Sequence, residues 1–237
     1  MGRRVRTARR SEGPHAVVEG RSRASGSRTR RSPWTTQQVE LPPHWTWCTL
    51  ADVSGHIVDG THHTPTYVSQ DGVSFISAKD VKGGQILFNG CKMIPRTEFE
   101  ELRKRCHPKQ GDILFTKSGS IGEVAIVRGN HVFTLFESVA LIPLAPSINR
   151  EYASYVIYLG ASGEFGQSNQ KGVAVKHLHL KDLRRLPFPL PPLSEQERIA
   201  TMAGKLLALC DTLESKLRDA EQGAQRLAEA MVAEMVA

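Results

Sequence analysis

From Ile199 onward apolar residues return every seven positions: Ile199, Leu206, Leu213, Ala220 and Leu227 form one line and Ala203, Cys210, Leu217, Ala224 and Met231 a second, with Met202 and Leu209 beside them. A seven-residue period keeps one stripe of a helix facing a constant direction, so the pattern specifies a coiled-coil seam. About forty residues at roughly 1.5 Å each make a rod on the order of 60 Å, more than a preceding domain of this size covers with its own surface. The stripe needs another helix, and Ile199, Leu206, Leu213, Leu217 and Leu227 are the expected association residues. The alternative is a helix folded back on its own domain, but the period outlasts the ~10–14 residues of an ordinary globular helix. Gly204 and Gly223 each cost about 1 kcal/mol against Ala inside a helix, which packing must offset.

Just before the heptads, Ser194-Glu-Gln-Glu197 reads as a capping box that starts the helix. Ahead of it, Leu186-Pro-Phe-Pro-Leu-Pro-Pro-Leu193 lacks amide donors and prefers an extended backbone, which predicts a stiff hinge rather than a central strand. A proline-rich ligand for a recognition module is the competing reading. The expected organisation is a disordered basic tail over 1–38, a domain over 39–190 and the helix over 191–237.

The net charge of +7 suggests nucleic acid until its location is traced. Residues 1–31 hold ten arginines against Glu12 and Glu19, so the remainder sums to −1. This tail has few large apolar residues to offset the entropy of ordering, and it either holds phosphates nonspecifically or is a leader left by a displaced start codon. A DNA-binding reading of the folded part has to rest on local placement of Lys and Arg. No run of eighteen apolar residues is present and the Arg-rich start lacks a signal sequence's apolar stretch, so a cytoplasmic protein is expected. Cys48, Cys91, Cys106 and Cys210 show no disulfide or CxxC spacing and read as buried thiols. His62, His63, Cys106 and His107 come as adjacent pairs, poorly spaced for one tetrahedral zinc site, and no metal is expected.

From Leu41 to Pro192 short apolar runs alternate with Gly, Pro, Asn and Asp. Val73–Ile76, Asp112–Thr116, Gly122–Val127 and Val139–Pro143 read as strands. Thr97–Arg105 and Asn149–Ser162 read as helices, the first opening on a Thr97/Glu100 capping box. The fold class is α+β: a mixed-sheet domain followed by a long C-terminal coiled-coil helix.

An ordered series of motifs then resembles a known family, the specificity subunits of type I restriction-modification enzymes. It runs through Leu-Pro-Pro-His-Trp-Thr-Trp (41–47), Asp-Gly-Thr-His-His-Thr-Pro (59–65) and Val-Ser-Phe-Ile-Ser-Ala-Lys-Asp-Val (73–81). Gly-Asp-Ile-Leu-Phe-Thr-Lys-Ser-Gly-Ser-Ile-Gly (111–122), Leu178–Leu183 and Pro-Leu-Pro-Pro-Leu-Ser-Glu-Gln-Glu-Arg-Ile (189–199) follow. The resemblance implies a non-catalytic domain that reads part of a double-stranded DNA site, and a spacer helix that docks modification subunits. It also implies that S-adenosylmethionine serves an adenine methyltransferase partner, and ATP with Mg a restriction motor partner, with no cofactor in this chain. Family members carry two target domains and two spacers where this chain has one of each. It therefore reads as a half-subunit that pairs with itself or with a second half, across an inverted-repeat site, or as a truncated gene.

Three loops are the expected DNA contacts. Thr61, His62, His63 and Thr64 offer donors to phosphates or base edges; the alternative is a plain Asp59-Gly60 turn with surface histidines. Lys117, Ser118 and Ser120 lie in a glycine-rich loop suited to phosphate oxygens, which also reads as a hairpin turn. Asn169, Gln170, Lys171, Lys176 and His177 combine adenine-reading amides with phosphate-neutralising cations, or form an ordinary polar loop. Lys79, Lys82, Arg184 and Arg185 are secondary phosphate candidates. A small hydrolase built on His62 or His63 is the reading from another class, and it lacks an evident nucleophile. An orphan DNA-binding protein is the third.

Overall fold

The computed structural model describes residues 40–170 and 177–236. The expected tail over 1–38, together with Lys171 and Lys176, lies outside them. In chain order the strands are β1 Thr46–Thr49, β2 Val58–Asp59, β3 Val73–Ile76, β4 Val81–Lys82, β5 Gln85–Ile86, β6 Lys92–Ile94, β7 Ile113–Thr116, β8 Val124–Ile126, β9 Phe133–Leu135, β10 Val139–Ile142 and β11 Pro187–Leu190. The helices are α1 Arg96–Leu102, α2 Arg150–Ser162, α3 Glu164–Asn169, α4 Leu180–Leu183 and α5 Leu193–Val236.

An antiparallel sheet in the order β2-β10-β7-β8 forms the centre. Its two middle strands, Ile-Leu-Phe-Thr and Val-Ala-Leu-Ile, are buried at every position because both faces are covered. Alternation divides their side chains. Ile113, Phe115, Ala140 and Ile142 share one cluster with Tyr152, Ala153 and Ile157 of α2 and Phe188 of β11. Leu114, Val139 and Leu141 pack instead with Ile76, Phe133 and Leu135 of a second sheet, ordered β6-β3-β9, in which β3 runs antiparallel to β6 and parallel to β9. Phe99 of α1 closes a smaller cluster with Val73, Phe75 and Ile94.

The segment expected to be a hinge is corrected by the structure. Its first half is β11, paired with β1 in the register Cys48 to Phe188. Pro187 and Pro189 are two apart, so both missing amides fall on one side of the strand, and a two-stranded sheet has an unpaired side to put them on. The carbonyl of Pro189 accepts instead from the Tyr152 hydroxyl at 2.6 Å.

Both predicted capping boxes are also corrected. The helix α5 begins at Leu193, so Ser194 lies inside its first turn, where the amides of Glu195 and Gln196 donate to the Pro192 carbonyl at 2.9 and 3.0 Å. Pro95 holds the cap position of α1, leaving Thr97 inside a helix that ends at Leu102 rather than Arg105. Asn149 caps α2 by accepting from the Tyr152 amide at 2.9 Å.

Gln196, 2 % exposed, fastens α5 to the domain: its side chain accepts from the Asn149 amide and donates to the Pro191 carbonyl. The Glu195 carboxylate accepts from the Trp45 indole at 2.8 Å and from Arg198, which holds its carboxyl below the usual range. Ala200 is buried and Ile199 half-buried against the domain core, so Ile199 serves its own domain. Gly204 passes Tyr155, where an added Cβ would sit 3.6 Å from the hydroxyl. The fold-back arrangement ends there. From Lys205 on, every described side chain is exposed, with Leu206, Leu213 and Leu217 showing 56, 57 and 61 %. The side chain of Leu227 lies outside the description.

The expectation of four buried thiols is met only by Cys106, which burial pushes up to about 12; Cys48 and Cys91 are half-buried and Cys210 is exposed on α5.

Since Phe188 is fully buried where β11, α2 and the central sheet meet, Phe188→Ala should cost about 3–5 kcal/mol in urea-induced unfolding. A loss under about 1 kcal/mol would show that this proline-rich strand is peripheral.

Candidate nucleic-acid interface

The segment Asp59-Gly60-Thr61 leaves β2 and runs along the end of β9. The Thr61 amide donates to the Leu135 carbonyl at 3.1 Å and the Glu137 amide donates to the Thr61 carbonyl at 3.0 Å. This approach is so close that a Cβ on Gly60 would lie 1.9 Å from the Leu135 carbonyl oxygen. Glycine is therefore required here by contact, in addition to any turn it makes.

The approach places the Asp59 carboxylate, 5 % exposed, among three basic groups. Arg105 Nη2 lies 2.6 Å from Oδ1; Lys117 Nζ and His62 Nε2 lie 3.2 and 3.3 Å from Oδ2. His62 meets Glu137 through its other nitrogen at 2.8 Å. A carboxylate this deep is tolerated because cations and hydrogen bonds replace its water.

Lys117 was expected to reach a phosphate; instead its side chain is 12 % exposed and turned inward onto Asp59. Its backbone ties further segments to the same place. The Lys117 amide donates to the Ser138 carbonyl at 2.9 Å, and its carbonyl accepts from the Leu178 amide at 2.8 Å. Ser118 bridges His177 in an isolated antiparallel pair, and the Ser138 hydroxyl accepts from the Ala78 amide. The structure thus brings parts of all three predicted loops, near residues 62, 117 and 177, around one carboxylate.

Within those loops the side chains divide. His62, His63, Thr64, Ser120 and His177 are exposed. Thr61 is 9 % exposed and accepts from the His63 amide at 3.1 Å, shaping the loop. Ser118 is buried, and Gly122 bonds back to Thr116 as the hairpin reading requires, with Gly119 and Gly122 at φ +79° and +104°. Asn169, one of the two expected adenine-reading amides, is 4 % exposed at the end of α3, and Gln170 is half-buried; a buried amide is not available to a base edge. Arg184 donates to the Ile57 carbonyl and Lys79 pairs with Asp80 at 2.6 Å, while Lys82 and Arg185 are exposed.

Sequence reasoning missed Asp59 as the hub, and missed Glu137 and Arg105. The available signal for Arg105 was the run Arg103-Lys104-Arg105. Both nitrogens of His62, the centre of the hydrolase alternative, face carboxylates. Among the described residues no group of three or more His, Cys, Asp or Glu side chains gathers as metal ligands, and no helix is long and apolar enough to cross a membrane.

An α+β domain from which one long helix extends is the class that this fold defines. Residues 61–221 match the type I restriction modification DNA specificity domain, and the chain belongs to that family. It is 29% identical over 171 residues to the type I restriction enzyme EcoBI specificity subunit of Escherichia coli, a stretch covering 69% of this chain and 35% of that protein. To the EcoEI specificity subunit, also of Escherichia coli, it is 21% identical over 202 residues, covering 81% of this chain and 34% of that one. The chain spans about a third of the length of these curated relatives. Similar solved structures include a chain described under complex assembly and conformational transition of the type I R-M system, with TM-score 0.63 and 22% identity, covering 82% of this chain and 46% of that one. The HsdS subunit from Thermoanaerobacter tengcongensis has TM-score 0.57 and 22% identity, covering 74% of this chain and 40% of its own length. The α+β fold with a long terminal helix is shared with these structures.

Because the obstacle at Gly60 is backbone, Gly60→Ala should lose more than about 3 kcal/mol of stability or most of the soluble yield. Thermal melts of the purified variant check this; wild-type stability would mean the Leu135 carbonyl moves aside freely.

Proposed function

We propose that this chain reads a sequence on double-stranded DNA and directs modification and restriction subunits to it, acting as a non-catalytic specificity subunit of a type I restriction-modification system. The single observation that carries this reading is the family match running through both the Asp59-centred loops and the exposed helix. The domain supplies an address and the helix supplies attachment. Methyl transfer to adenine from S-adenosylmethionine, and ATP- and Mg-dependent translocation and cleavage, fall to partner subunits. Such an assembly works where the chromosome is, in the cytoplasm.

Beyond Gly204 the stripe of α5 faces solvent over most of the helix's length. Apolar area on this scale is stabilised by a second helix. A second copy of the chain, or a second specificity segment, lays its own stripe along Leu206, Leu213 and Leu217. A symmetric pair reads an inverted repeat with a fixed gap.

Two measurements test the reading. Mapping methylated adenines in cells with and without the gene should show one motif lost with it; an unchanged map overturns the proposal. Replacing both Leu213 and Leu217 by Glu should weaken helix pairing by well over tenfold, since burying a carboxylate costs more than the ~1.4 kcal/mol per decade. Sedimentation velocity reads this as a shift to monomer, with loss of methyltransferase co-purification. A double variant that associates like wild type would place the contact elsewhere.

A further inference from the structure

We infer that Arg105 is a DNA-phosphate contact, held ready by the buried Asp59 carboxylate. The inference rests on the DNA-reading function proposed above and adds a residue that neither the loop motifs nor the family resemblance singled out.

Three neighbouring cations are disposed of differently. Arg103 is paired with Glu100 at 3.2 Å and Lys104 with Glu101 at 2.6 Å, each about one helical turn back, so each has a carboxylate of its own. Arg105 lies just past the end of α1 and turns to Asp59. That carboxylate already has Lys117, whose side chain is nearly buried against it, so the one carboxylate of Asp59 is shared between two basic side chains.

Arg105 meets Asp59 through one nitrogen on one oxygen, although a guanidinium and a carboxylate pair best by two parallel bonds. Its side chain is 56 % exposed, and Asp59 is its one hydrogen-bond acceptor among the described residues. The other guanidinium nitrogens are left without an acceptor among the described residues, and His62 meets the same carboxylate at 3.3 Å. An arginine anchored through one nitrogen has lost part of its rotamer freedom before any ligand arrives, and its remaining donors suit the oxygens of a phosphate. Backbone contacts of this kind set register on the duplex without reading sequence.

The test uses full-length protein and a short duplex of arbitrary sequence, with affinity measured by fluorescence anisotropy over a series of salt concentrations. Removing one phosphate contact should make the slope of log affinity against log salt shallower by roughly 0.9. Arg105→Gln is expected to show that change, and Arg103→Gln to keep the wild-type slope. Arg105→Lys should keep the slope, because the charge stays, yet bind more weakly than wild type because the fork is gone. A wild-type slope in Arg105→Gln overturns the assignment, and so does an equal drop in Arg103→Gln, which would report only net charge. If the wild-type protein binds no duplex at all, the DNA-reading function itself fails, a result distinct from binding with an unaltered slope.

Discussion

The pairing of Thr46–Thr49 with Pro187–Leu190 is the constraint on which the remaining structure depends. Cys48 and Phe188, 140 positions apart, are joined by it. The amides of Leu50 and Ala51 extend the join by donating to the carbonyls of Leu186 and Arg184. Everything between is one closed excursion of the chain, so each loop leaves and returns on a fixed base. Closing so long an excursion is entropically costly, and the cost is offset by burying Phe188 and Leu186 completely against the central sheet.

Asp59 does at the loops what this strand pair does at the base. Its charge is unfavourable in the interior unless compensated, and the compensating groups come from separate parts of the chain. Holding one carboxylate satisfied therefore holds three segments in register. The exposed side chains of His63, Ser120 and His177 are displayed from this frame, while their near neighbours Thr61, His62 and Ser118 are spent on structure. That division suits a surface whose tips specialise while its frame is kept.

Much of the frame was legible in the sequence. Val73–Ile76 forms as read, and the strands around 113–116, 124–126 and 139–142 differ from expectation by one to three residues at their ends, because continuous apolar runs are strong local signals. The heptads likewise placed the long helix. Strands of two or three residues such as β2, β4 and β5 are too short to carry a period. Both helix starts were read at Ser or Thr, although Pro95 and Pro192 sit just upstream and begin the turns. The proline strand was missed because the alternation of Pro187 and Pro189 matters only once a one-sided partner is known. Polar loop residues were the least legible: Lys117 and Asn169 look alike in sequence whether they face water or the interior. Only the distant Asp59 decides for Lys117.

Gln196 bolts the first turns of α5 to the backbone on either side, at Asn149 and Pro191. The helix consequently leaves the domain with a defined rotational phase as well as a defined direction. Each residue added or removed beyond Gly204 would turn the distal stripe by about 100° and slide it by about 1.5 Å, like advancing a screw. Changes of about seven, eleven or eighteen residues bring the stripe back to within about 20° of its original bearing, so evolution can lengthen or shorten this shaft only in coarse steps.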